Sequence, residues 1–249
     1  MAKTTTDPYA ESAELFRSDT KDHELTILHD DGLYRHLRFR RPETGMYWFD
    51  LITWPGALAV VGDFGTGYTF RRIDDMFEFF RESGYSNSRS IIHPHYWSEK
   101  IASGKDGVRE YSEELFRQRV AEELDEYDKA YPGLRAKYES DLSAYEATPF
   151  AQRYPMSAKG PRRPAEPATP KSPAEIREEL QDHGDDGMTQ FEDCARDLLR
   201  QWERDGWLEG TFEWELTTWS WHFLWAYQAI REGVRQYDAA KAAVPATTS

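Results

Sequence analysis

Two groups of histidine and aspartate side chains in this chain have the chemistry of metal ligands. His29 precedes two aspartates at a predicted turn, and His93 and His95 are separated by a single proline. Side chains at i and i+2 of an extended segment point to the same side, so these three histidines could together bind zinc or another divalent ion. The alternative is that they are loop histidines that hydrogen-bond to the backbone, and the lack of an HExxH-like spacing favours it. We therefore expect no cofactor, with a divalent metal as the alternative.

Arginine is concentrated in one predicted strand of an otherwise acidic chain. Alternation along this strand places His36, Arg38 and Arg40 on one face, with apolar residues on the other. Arg71 is expected on a neighbouring strand. Because guanidinium groups recognise phosphates and carboxylates, this face could bind a phosphate ligand or an acidic peptide. The alternative, which the abundance of acid favours, is that these arginines pair with carboxylates of the chain itself.

The glycine-rich segment GDFGTG, residues 62–67, follows a predicted strand, as phosphate-binding loops do. It precedes another strand and matches neither GxxxxGK[ST] nor GxGxxG, so we interpret it as a tight connection that needs a positive φ. Asp63 is then a turn cap, or in the ligand-binding interpretation a member of the arginine face. No GxSxG elbow is present, and a Ser/His/Asp triad is not recognisable. The sequence favours a binding protein over an enzyme.

The elements that must position these residues begin with a predicted antiparallel meander. Short Asp-Gly and Pro-Gly connections join alternating segments, and such short connections exclude parallel neighbours. Strands are predicted at residues 23–30, 33–41, 46–54, 57–61 and 68–70, followed by a helix at 73–81 whose apolar residues fall on one face.

The second half of the chain has the apolar spacing of charged helices. We predict a helix from about Leu115 to Tyr131 that ends at Pro132-Gly133, and a second from Leu134 to Tyr145. Another helix begins at Ser172, where Ser, Pro and Glu form a capping box. The fold class is therefore α+β: an N-terminal antiparallel β-meander with a packed helix, then a mainly helical C-terminal half.

These elements divide the chain into five predicted segments. Proline-rich composition marks one of them as the most protease-sensitive internal stretch, from Thr148 to Lys171. The segments are a flexible tail at 1–22, a sheet and helix domain at 23–107, charged helices at 108–147, a Pro-rich linker or loop at 148–172, and a helical region packing on the sheet at 173–243.

The formal net charge of −14 disfavours direct binding to nucleic acid or to anionic membranes. It would suit a basic protein partner, with Glu122 and Glu123 on the acidic helices as candidate contacts, although solubility alone also explains such a charge. Trp221 and Trp225 lie in a last helix that is apolar on more than one face, which is typical of a helix in a core or at an interface. We expect most of this helix to be buried within the chain, with Trp221 and Trp225 as candidate contacts for a partner or a second copy of the chain. The most apolar window is too short to cross a bilayer.

Cysteine usage and the N-terminal sequence predict a reducing, intracellular compartment. Cys194 is the only cysteine, so no intramolecular disulfide can form, and we expect a buried thiol in a helix. The first residues are polar and lack the apolar core of a signal peptide.

Three strings of residues resemble a family of uncharacterised proteins encoded by bacteriophages and prophages. They are HDDGLYRHLRFRRP, FDLITWPGALAVVGDFGTGYTFRRIDDMFEFFR and FLWAYQAIREGVRQYD. The resemblance covers roughly residues 23–97 and the last helix, and leaves the middle of the chain unmatched. The family's glycine loop commonly reads GDMGTY, and Phe64 and Gly67 depart from it here. The resemblance implies a phage accessory protein that works in the cytoplasm of a bacterial host, and it supplies no catalytic residues.

Two function classes follow. The first is a non-enzymatic binding protein that engages a host protein complex, for example one that serves in bacterial defence. The second is a nucleotide- or phosphate-binding protein or enzyme that uses the arginine strand and the histidines. The sequence favours the first.

Overall fold

A computed structural model of the chain describes residues 9–65, 67–82, 93–149 and 166–243. The chain forms two compact units: unit 1 comprises residues 1–110 and 218–249, and unit 2 comprises residues 111–217. The chain leaves unit 1 within strand β7 (Arg109–Tyr111) and returns within strand β8 (Thr217–Trp219), and these two strands form a small sheet of their own.

Unit 1 is built on a six-stranded antiparallel sheet in which neighbours in sequence are neighbours in space. This confirms the predicted meander and the α+β class. The sixth strand was not predicted, because three residues are too few to show an alternating pattern. The strands are β1 (Glu24–Asp31), β2 (Tyr34–Arg40), β3 (Phe49–Trp54), β4 (Ala57–Gly62), β5 (Tyr68–Arg71) and β6 (Ile101–Ser103).

Alternation along the strands separates a core face from an open face. Leu37 and Phe39 of β2 are fully buried and lie opposite Leu51 and Phe49 of β3, and the aromatic pair stacks with ring centroids 4.5 Å apart. The intervening side chains of β2 are on the other face and are half-buried or exposed. The predicted direction of the β2 side chains is confirmed.

The core face is covered by a helix from the far end of the sequence, which we number α7 (Trp221–Ala243). Its Trp225 is fully buried and contacts Phe49 and Phe64. Three more helices belong to this unit: α1 (Ala10–Thr20), α2 (Met76–Glu82) and α3 (Pro94–Ser98). The prediction of a flexible tail at 1–22 is wrong for α1, because Phe16 is buried against Trp225.

Unit 2 is helical around its own core. It contains α4 (Glu113–Ala147), α5 (Pro173–Asp185) and α6 (Glu192–Arg204), and Trp202 is completely buried among them. Pro132 does not end α4 as predicted. A proline removes one backbone hydrogen bond. The helix continues past it because strong helix formers lie on both sides of Pro132-Gly133, among them Ala130 and Leu134.

The last predicted segment, 173–243, is not one body. Its final helix packs on the sheet as expected, whereas α5 and α6 belong to unit 2. The capping box at Ser172 is confirmed, since its hydroxyl accepts from Glu175 N and the Glu175 carboxylate accepts from Ser172 N. Cys194 lies on α6 and is half-buried instead of fully buried. Most of the predicted Pro-rich linker, residues 150–165, lies outside the described residues.

Candidate functional site

The open face of the sheet carries a buried carboxylate between two candidate ligand-binding residues. Asp50 of β3 is 4% exposed and accepts two hydrogen bonds from Arg38, both 2.9 Å long. Nε2 of His36 lies 2.7 Å from the same carboxylate. The hydrogen bonds and the charge of Asp50 raise the pKa of the Arg38 guanidinium. Asp50 therefore neutralises Arg38 and fixes the orientation of the His36 ring.

A shallow cleft lies beside this network. Arg38, Arg40, Gly45 and Trp48 line about 290 Å³, and the Arg38 guanidinium carbon lies 5.2 Å from the centroid of the Trp48 ring. Arg40 donates from Nε to the carbonyl of Thr44 at 2.6 Å. An indole beside two guanidinium groups can hold a planar or anionic group, but Asp50 already satisfies one of the two cations.

Asp63 positions this cleft from the glycine-rich loop. Its carboxylate accepts from Tyr47 N at 3.1 Å, and its own amide donates to the carbonyl of Trp48 at 2.8 Å. Tyr47 has a φ of 55°, and His23 contacts its carbonyl through Nε2 at 3.1 Å. These contacts hold a strained backbone residue directly before Trp48 and so fix where that ring lies. Asp63 thus caps the turn before Trp48 and not the glycine-rich turn in which it lies, and its role in ligand binding stays a prediction.

The glycine-rich loop is a close connection within the core. Gly65 has a φ of 101°, which confirms the predicted need for a positive φ. A Cβ at Gly62 would lie 2.1 Å from the carbonyl oxygen of Trp48. Phe64 is 3% exposed and stacks on Trp225 with the ring centroids 4.7 Å apart. The loop's glycines and Phe64 therefore serve packing in this chain.

Arg71 does not join the arginine face around Arg38. It is exposed on β5, and β3 and β4 separate its strand from β2. At about 4.8 Å between neighbouring strands, the two strands are roughly 14 Å apart. The structure thus brings together His36, Arg38 and Arg40, and ligand binding by these three residues stays a prediction.

The histidine group proposed for a metal is not assembled among the described residues. His29 is on the edge strand β1 opposite His36, whereas His93 and His95 flank Pro94 at the start of α3, before β6 at the other edge. The extended segment predicted for His93 and His95 is wrong, because Pro94 at the first helical position favours a helix. No group of three or more His, Cys, Asp or Glu side chains in the described ranges could hold a metal ion.

The tryptophan pair proposed for partner binding is split by the packing of α7. Trp221 is half-buried, but Trp225 is fully buried and its Nε1 donates to Asp19 at 3.2 Å. The proposed role of Trp225 is therefore corrected: it belongs to the core of unit 1. A helix that is apolar on several faces was expected in the core or at an interface, and here the core accounts for it.

The acidic candidates lie on an exposed face of unit 2. Glu122 and Glu123 are both exposed on α4, where Glu122 pairs with Arg119 at 3.2 Å and Glu123 has no ion pair among the described residues. The second half of α5 and the residue that follows it add further exposed carboxylates, which we call the acidic ridge: Glu178, Asp182, Asp185 and Asp186. None of these four forms an ion pair within the described ranges.

Two residues of the open face were missed in the sequence, Asp50 and Trp48. Both belong to the strand predicted at 46–54, and Asp50 lies opposite Arg38 in the register of β2 and β3. Pairing the two predicted strands across their connection would have revealed an opposite-charge pair on one face. The position of Trp48 depends on the positive φ of Tyr47, and no local sequence pattern indicates that backbone conformation.

Comparison with known proteins gave no match to a family model, to a curated protein or to a solved structure. The likeness to phage-encoded proteins therefore stays a prediction from the sequence. In the part of the chain that the structure describes, no helix is both long and apolar enough to cross a membrane.

Proposed function

We propose that the chain is a non-enzymatic binding protein whose unit 2 presents an acidic surface to a basic face of a protein partner. The observation that carries the proposal is the uneven distribution of charge. Residues 111–217 contain 25 Asp and Glu against 14 Lys and Arg, whereas the remainder of the chain contains 20 against 17. Most of the net charge of −14 thus belongs to one unit.

The cations of unit 2 do not compensate this surface. Among the described residues of the unit, every Lys and Arg except Arg204 already forms an ion pair with a carboxylate. The carboxylates left over, including Glu123 and the acidic ridge, carry uncompensated charge at exposed positions. Such a field attracts a basic partner over a distance and repels nucleic acid.

The partner in this proposal is a host protein complex in the bacterial cytoplasm. The likeness to phage-encoded accessory proteins supports that context. In this proposal the chain binds and inhibits the complex, for example a bacterial defence system. The proposal needs no second copy of the chain, because the core of unit 1 accounts for the burial of Trp225.

The test begins with co-purification of the tagged chain from bacterial cells, followed by association kinetics with the retained protein. Association should slow as salt rises, because the Debye length falls from about 30 Å at 0.01 M to about 8 Å at physiological ionic strength. At low salt, Glu178→Gln with Asp182→Asn should lower the association rate by about two- to tenfold. Charge reversal at Glu122 and Glu123 should act in the same direction.

Glu11 and Glu14 on α1 provide the matched control. Both are exposed carboxylates on a helix, but they lie in unit 1. Changing both to Gln removes the same charge and should leave the rate close to that of the unmodified chain. A rate that does not depend on salt, or that falls equally in the control, would refute the acidic-surface mechanism.

A further inference from the structure

One cleft of unit 1 is cationic, although the protein as a whole is acidic. It encloses about 750 Å³ between α1, α2 and α7, a size typical of small-molecule sites. Four guanidinium groups line it, from Arg17, Arg81, Arg231 and Arg235, against two carboxylates. This cleft lies away from the open face of the sheet and takes no part in the function proposed above.

Ion pairs within the cleft account for only half of its cations. Arg81 is bonded to Asp238 at 2.8 Å, and Arg235 is bonded to Glu232 at 2.8 Å. Arg17 donates only to the carbonyl of Ala13, and Arg231 has no hydrogen bond or ion pair among the described residues. Neither of these two guanidinium groups forms an ion pair with a carboxylate of the described residues, and two such cations match the charge of a phosphate monoester.

The floor of the cleft is apolar but contains one amide. Phe16, Phe80 and Val234 line it and are each at least nine-tenths buried. Gln228 is 9% exposed, lies among them, and its side-chain amide has no hydrogen-bond partner in the described part of the chain. Because this amide lies at the wall of the cleft, it can hydrogen-bond to a polar group of a bound molecule.

We propose that this cleft binds a small organic phosphate of the nucleotide class. The phosphate binds Arg17 and Arg231, a planar body lies against Phe16 and Phe80, and a polar edge of that body hydrogen-bonds to Gln228. An amide can donate and accept at once, which suits the edge of a nucleobase.

Calorimetric titration of the full chain with AMP, GMP, CMP, UMP, the four nucleosides and inorganic phosphate tests the proposal. We expect at least one nucleotide to bind more tightly than its nucleoside and than phosphate alone. Arg231→Gln should weaken that nucleotide by about tenfold, the effect of losing one charge-assisted hydrogen bond, and should not change nucleoside binding. Gln228→Leu, which keeps the size of the side chain, should weaken nucleotide and nucleoside alike.

Arg72→Gln is the control, because Arg72 is exposed and is not among the residues that line the cleft. Thermal unfolding of each variant shows whether the fold is retained, and Arg17→Gln repeats the charge test on another helix. Absence of nucleotide binding at about 1 mM would overturn the proposal. So would equal binding of inorganic phosphate, or nucleotide binding that neither arginine variant weakens. Variants of the acidic ridge should leave nucleotide binding unchanged, which separates this proposal from the function proposed for unit 2.

Discussion

The buried ion pair of Arg35 and Asp75 is expected to be the most sensitive electrostatic contact in unit 1. Arg35 is 9% exposed and donates to both oxygens of Asp75, at 2.8 and 3.0 Å. Its guanidinium carbon also lies 4.8 Å from the ring centroid of Phe77. Asp75 in turn accepts from Phe77 N at 2.9 Å and so caps α2.

Asp75→Ala removes the partner of a buried cation and the cap of a helix together. Breaking a buried pair on one side costs about 3–5 kcal/mol, and a lost cap contributes about 1 kcal/mol of that total. Asp75→Asn keeps an oxygen for the cap and should cost less. Asp74 is an exposed neighbour whose side chain has no partner in the described ranges. Asp74→Ala should therefore change the free energy of unfolding by less than about 0.5 kcal/mol.

Urea denaturation, monitored by hydrogen exchange of the β2 and β3 peptides, measures the loss of unfolding free energy in unit 1 separately from unit 2. Replacing both residues, with Arg35→Met and Asp75→Ala, should recover about 1–3 kcal/mol relative to Asp75→Ala alone, because no uncompensated charge stays buried. A cost below about 1 kcal/mol for Asp75→Ala, or no recovery in the double variant, would refute this account of the pair.

The same pair makes unit 1 sensitive to acid. Burial alone raises the pKa of Asp75, but the hydrogen bonds from Arg35 and Phe77 N and the charge of Arg35 outweigh it, so the net pKa is lowered. A carboxyl with a lowered folded-state pKa stabilises the fold fully above its unfolded pKa of about 3.9, and this stabilisation is lost as the pH falls through the folded value. The free energy of unfolding of Asp75→Ala should therefore vary less with pH in the acid range.

Three further changes test the packing. Gly62→Ala should cost about 1–3 kcal/mol of unfolding free energy in denaturant titrations, because its Cβ would meet the Trp48 carbonyl, whereas Gly45→Ala, with open space around it, should be nearly neutral. Trp225→Ala should cost about 3–5 kcal/mol and Trp221→Ala clearly less, and equal costs would contradict the difference in burial. Pro132→Ala should stabilise unit 2 by up to about 3 kcal/mol in thermal unfolding, because it restores a backbone hydrogen bond within α4.

The meander was predictable because residues close together in the sequence determine its turns and strands. Asp31-Gly32 and Pro55-Gly56 mark turns, and the alternation of β2 separates Leu37 and Phe39 from the arginines without reference to any distant residue. The predicted strand bounds fall within a few residues of those observed. Short connections then leave an antiparallel order as the physical solution.

What was missed depends on contacts between residues far apart in sequence. Arg35 is the exception to the apolar alternation of β2, and only the position of Asp75 at the start of α2 explains why a cation is buried there. Trp225 was named as a candidate partner contact because the sequence does not show that Phe16, from the predicted tail, packs on it. The error at Pro132 has another origin, since a local helix breaker was given more weight than the helix formers around it.

The carboxylate at the start of helix α5 stabilises the helix, whereas those near its end do not. At its start, Glu175 completes the capping box and lies at the positive end of the helix dipole, so the fold itself accounts for this carboxylate. At its end, Asp185 and Asp186 lie where the dipole is negative, at a cost of about 0.3–1 kcal/mol each. Glu178 and Asp182, one turn apart, repel each other. The fold therefore does not account for these carboxylates, and this supports the proposal that they serve to bind a basic partner.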